Sequence, residues 1–151
     1  MAGQGNTIKS IADALCRNGW IVLYKCVPNR VHIGVVPIPS KDGGTRQHYP
    51  DVLSIKGNRV RLTEVEVTLS PDVVAKIAER FQSQRSALED PRIWDCWRDR
   101  LSELAGINIP KHCIFEYELV LCKDSGSYAG PLVARLTEQR IDVYPASKYV
   151  P

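Results

Sequence analysis

The segment YPDVLSIKGNRVRLTEVEVTLS (residues 49–70) carries three carboxylates, Asp51, Glu64 and Glu66, within what otherwise reads as two apolar strands. Gly57-Asn58 suits the φ > 0 positions of a two-residue hairpin turn, so Lys56 faces Arg59 and the register of both strands follows. Counting outward, Ile55 faces Val60, Leu53 faces Leu62 and Asp51 faces Glu64. Side chains alternate with period two, which predicts Glu66 on the face of Asp51 and Glu64, with Val65, Val67 and Leu69 on the other. Like charges directly opposed on a sheet destabilise it, and a divalent cation is the natural compensator. The simpler explanation is an exposed acidic face balanced by Arg59 and Arg61. This register puts both arginines on the opposite face, which argues against it.

The hairpin sits within a regular alternation of elements. Ile8, Ile11, Ala12 and Leu15 recur at helical spacing from about Asn6, and Gly19 marks the stop. WIVLYKCV (20–27) and VHIGVV (31–36) read as strands, and PIPSKDGGTRQHY (37–49) as a loop leading into the hairpin. Ser70-Pro71-Asp72 supplies an N-cap, a first-position proline and an acid in the first turn. The helix it starts has Val73, Val74, Ile77, Ala78 and Phe81 on its apolar face and Lys76, Glu79 and Arg80 on its flank. Asp90-Pro91 starts another helix running to Gly106, on which Trp94 and Trp97 share the core spacing of Ile93 and Leu101. CIFEYELVLC (113–122) is the strongest later strand, followed by the loop KDSGSYAG, a helix in GPLVARLTEQR and a closing strand in IDVYP. A mixed α/β sheet flanked by helices accommodates this order, since long crossovers suit parallel pairs and Gly57-Asn58 forces one antiparallel pair.

Composition bounds the rest. The chain of 151 residues is of one-domain length and carries a formal net charge of +3, which permits a polyanionic partner without requiring one. No apolar run spans a bilayer and MAGQGNTIKS lacks a secretory core, so an intracellular, cytoplasmic protein is expected. Cys16, Cys26, Cys96, Cys113 and Cys122 are odd in number and form no CxxC pair, which fits reduced, core-filling thiols. His48 in the loop, Thr68 continuing the acidic face and Asp13 on the first helix are lesser site candidates, and for Asp13 a solvated helix face is the better reading. Phosphate-loop, dinucleotide, zinc-protease and nucleophile-elbow motifs are absent.

Pro50-Asp51, twelve residues, then Glu64-Val65-Glu66 on the following strand resemble the PD-(D/E)XK nuclease superfamily, which includes restriction endonucleases and archaeal Holliday junction resolvases. The order of a helix before the sheet, an acid-bearing hairpin and a helix directly after it is similar to that superfamily's core, over residues 6 to about 122. The resemblance implies a restriction endonuclease-like αβββα-β fold in a single domain. It also implies an endonuclease of DNA, in preference to RNA, using Mg²⁺ or Mn²⁺, with a two-fold dimer left open. Asp51 would be the principal metal ligand, Glu64 the second and the Val65 carbonyl a third. Phosphodiester hydrolysis needs charge neutralised at phosphate, a water activated and the leaving oxygen stabilised. Magnesium commonly takes only one or two protein carboxylates. Glu66 departs from the pattern, standing where the family usually has lysine, and would serve the metal or the water. Lys76 or Arg80, reaching back from the next helix, would then supply the missing positive charge. The rival is a catalytically inactive nuclease fold kept as a nucleic-acid-binding or protein-interaction module. The third reading is an interaction protein of unrelated α/β fold.

Overall fold

A computed structural model describes residues 4–25, 38, 49–123 and 129–149. Within them the chain runs α1 (Gln4–Arg17), β1 (Ile21–Lys25), β2 (Val52–Lys56), β3 (Arg59–Glu66), α2 (Pro71–Leu88), α3 (Pro91–Ala105), β4 (Ile114–Leu121), α4 (Ala129–Glu138) and β5 (Ile141–Pro145), then a short 3₁₀ helix (Ala146–Tyr149). The five strands form one mixed sheet in the order β1-β2-β3-β4-β5. The first two pairings are antiparallel and the last two parallel. The α/β architecture read from the sequence is therefore present. VHIGVV, His48, Cys26 and nearly all of the loop before the hairpin lie outside the described residues.

The hairpin has the expected register, with Lys56 opposite Arg59, Ile55 opposite Val60 and Leu53 opposite Leu62. Gly57 adopts φ +61, while Asn58 is not among the positive-φ residues. That is the pattern of a turn with glycine at its first central position.

The two faces of the sheet carry different partners. Leu53, Ile55, Val60 and Leu62 pack with Ile77 and Phe81 of α2, Trp97 and Leu101 of α3, and Leu136 of α4. Both parallel crossovers, through α2-α3 and through α4, thus cover the same face, as a sheet growing in one direction requires. Val52, Val65 and Val120 point the other way, onto Ile8, Ile11 and Leu15 of α1. Trp94 and Trp97 are core residues, as their spacing predicts, and the Trp94 Nε1 donates to the Lys111 carbonyl at 2.7 Å.

Two expectations fail beyond Glu66, where β3 ends. Leu69 joins the α2 side of the core instead of the α1 side, and Thr68 lies exposed in a bend, not on the acidic face. Period two holds only while the chain stays extended. The cysteines also differ from the core-filling expectation. Cys16 and Cys96 are exposed, Cys113 and Cys122 are partly buried, and all four are free thiols.

α2 begins where its cap signal predicts: the Ser70 hydroxyl accepts from the Val73 N–H at 3.2 Å, with Pro71 at the first helical position. This cap anchors the helix directly after the acidic strand. Ser70→Ala should lower unfolding free energy by about 1 kcal/mol in urea titration, and Ser70→Asp should retain most of it; equal stability of all three would show that the cap contributes nothing.

Candidate functional site

β3, β4 and β5 run parallel and end at Glu66, Leu121 and Pro145, so their C-terminal ends share one edge of the sheet with the start of β2. In open α/β sheets that edge is the usual binding side. Asp51 stands there, just before Val52.

A two-residue turn makes Lys56 and Arg59 a hydrogen-bonded pair, and every second pair outward repeats it. The series passes through Ser54 with Arg61 and Val52 with Thr63, and would next pair residues 50 and 65. Position 50 is proline, which has no N–H to give to the Val65 carbonyl, and the paired register stops at Val52 with Thr63. The Val65 N–H goes to a side chain in place of a backbone carbonyl: the Asp51 Oδ2 accepts from it at 2.8 Å.

Glu64 lies beside it and is only 1 % exposed. Its Oε2 accepts from Arg80 of α2 at 3.2 Å, while its Oε1 is buried with no hydrogen-bond partner among the described residues. An ionised Asp51 has no proton to offer, so this oxygen calls for a proton, a cation or a donating water beside the two carboxyls. Burial pushes the Asp51 carboxyl above its ordinary value. Glu64 is raised well above its own, by burial first and the Asp51 charge second, with Arg80 opposing both.

Glu66 shares the face of Glu64, and Lys76, one helical turn before Arg80, reaches it at 2.8 Å. Glu64 and Glu66 are therefore each met by a cation of α2. Arg59 and Arg61 both bind Glu116 on the opposite face, where Arg61 also lies over the Trp20 ring at 4.2 Å. Asp13 is exposed on α1, the helix that covers that opposite face. Arg98 pairs locally with Asp95 and Asp99, as its helical setting predicts.

Among the described residues no group of three or more His, Cys, Asp or Glu side chains is assembled to hold a metal. Asp51, Glu64 and Glu66 share a face without converging, since Glu66 is turned to Lys76. What remains is a pair of carboxylates with a buried, donorless oxygen between them, which suits an ion that takes one or two carboxylates and completes its shell with water. Clefts of about 440 Å³, between α2 and β5, and about 330 Å³, past the end of α3, contain none of these acids.

The sequence reading missed Glu118, which is buried on β4 and accepts from the Thr63 hydroxyl at 2.8 Å and from the Tyr149 hydroxyl at 2.8 Å. The alternation in FEYELVL was the available signal, because it puts Glu116 and Glu118 on one face. Compared with known proteins, the chain matches no family model, no curated protein and no solved structure.

A carboxyl whose pKa is raised on folding binds its proton more tightly in the folded chain. Its contribution favours folding most at low pH and is lost as the pH rises from the unfolded value through the folded one. Asp51→Asn keeps an acceptor for the Val65 N–H and removes one of the paired charges. In metal-free buffer its melting temperature should exceed the parent's at about pH 8, with the gap closing toward about pH 4. A gap that does not vary with pH would mean that the two carboxyls do not interact.

Proposed function

We propose that the chain is a divalent-metal-dependent nuclease of the PD-(D/E)XK type that hydrolyses phosphodiester bonds in DNA. The observation that carries this reading is the buried, donorless Glu64 Oε1 beside the Asp51 carboxylate, at the sheet edge where the parallel strands end. Asp51 and Glu64 would hold Mg²⁺ or Mn²⁺, with the backbone carbonyl of Val65 as a third donor. When bound, the cation supplies charge neutralisation at the scissile phosphate and activation of a water.

The chain's own residues supply the rest. Asp51 keeps its carboxylate in place through the Val65 N–H, which leaves its second oxygen for the ion. Glu66 accepts from Lys76, and the pair orients water at the end of β3. Lys76 provides the ammonium that the PD-(D/E)XK motif usually carries where this chain has Glu66. Its side chain is 51 % exposed, so it can extend to a phosphate oxygen.

The second reading, a nuclease fold retained as a nucleic-acid-binding or protein-interaction module, is favoured by one observation. Glu64 and Glu66 each already hold a cationic partner, as a site that needs no metal would.

Cleavage separates the two. Labelled duplex, single-stranded, flapped and four-way-junction DNA are incubated with the protein in Mg²⁺, Mn²⁺ or EDTA. Cleavage should require the metal and fall by roughly 10²–10³-fold in Asp51→Asn, as when one charge-stabilising group is lost. Binding of DNA with no cleavage of any substrate would leave the module.

A further inference from the structure

We infer that Arg80 is a displaceable counter-ion: it neutralises Glu64 while the carboxylate pair holds no cation, and turns to the phosphodiester once a divalent cation takes over that carboxylate. The inference rests on the metal-dependent reading above and assigns a substrate-binding role to a residue of α2.

The first argument is charge balance. Asp51 and Glu64, ionised together, carry two negative charges, and one guanidinium meets only one of them. A divalent cation meets both. Arg80 is then surplus, held near a positive ion with no acid of its own, and the single negative charge of a phosphodiester is what restores balance. Glu66 already has a cation of its own, Lys76 at 2.8 Å.

The second argument is the quality of the contact. Arginine binds carboxylate best through two short, parallel hydrogen bonds. Arg59 approaches that form on Glu116, with contacts of 3.0, 3.1 and 2.7 Å. Arg80 makes one hydrogen bond to Glu64, from a single nitrogen at 3.2 Å. Its side chain is 31 % exposed while that of Glu64 is 1 % exposed, so the acid is fixed and the base has room to leave.

The third argument is position. Arg80 and Lys76 are four residues apart on α2, hence on one side of the helix, and they meet Glu64 and Glu66, two apart on β3. A phosphate drawn to the acids through a cation would therefore arrive beside both basic groups.

The test is Mn²⁺ titration followed by electron paramagnetic resonance on the full chain, comparing the parent with Arg80→Gln and Arg80→Lys at about pH 8.5, well above the ordinary carboxylate range. The same proteins are assayed for cleavage of the DNA substrate that the parent cuts best. Arg80→Gln should bind Mn²⁺ roughly 3–10-fold more tightly, because no guanidinium must be displaced, yet cleave roughly 10²-fold more slowly. Arg80→Lys should restore an Mn²⁺ affinity near the parent's and part of the rate. Weaker Mn²⁺ binding by Arg80→Gln would make Arg80 a structural support for Glu64 and overturn the inference. Unchanged affinity or an unchanged rate would overturn it as well, with the metal reading intact. A parent that binds no Mn²⁺ would remove the metal reading and this inference together.

Discussion

A carboxylate taken out of water needs either a compensating charge with hydrogen bonds or a proton. Glu64 is buried beside Asp51 with one guanidinium on one oxygen and no donor among the described residues on the other, and the rest of this edge of the molecule is arranged around that deficit. The backbone pairing of the hairpin stops at Val52 with Thr63, and beyond it the Asp51 side chain accepts from the Val65 N–H, which fixes its carboxylate beside Glu64. α2 starts directly afterwards from a fixed cap and carries its two cations back over the strand that bears the acids.

The other face of the same sheet has solved a similar problem without leaving a deficit. Glu118, two strand positions from Glu116, is also buried, but Thr63 and Tyr149 donate to it from either side. The Tyr149 phenol is pushed far above its ordinary value, by burial first and the Glu118 charge second, so it remains a donor at any ordinary pH. This arrangement ties the C-terminal 3₁₀ helix under the sheet. The contrast separates the two acids by kind: Glu118 is a satisfied structural carboxylate, whereas Glu64 has an open acceptor at the edge where the parallel strands end. Evenly distributed acidic residues on a solvated sheet would not divide in this way.

Much of this was legible because it depends on local rules. Gly57-Asn58 set the register, and period two followed to place Asp51, Glu64 and Glu66 together and Arg59 and Arg61 apart from them. Ser70-Pro71-Asp72 located the helix that faces the site. The remainder depends on distances between elements, to which spacing along one strand is blind. That Lys76 takes Glu66 and Arg80 takes Glu64 is set by how α2 packs on β3. The loss of alternation after Glu66 put Leu69 on an unexpected face, because the chain turns there into the cap of α2. Three carboxylates counted on one face also overstated the cluster, since a shared face does not bring side chains to a common point.

The most direct measurement is diffraction from crystals grown with Mn²⁺, recorded where manganese scatters anomalously. The account expects one ordered anomalous peak between the carboxylates of Asp51 and Glu64, with the Arg80 guanidinium moved off Glu64. An Mn²⁺-soaked crystal with no peak at that position, and Arg80 still bound to Glu64, would contradict it and leave a proton as the link between the two acids.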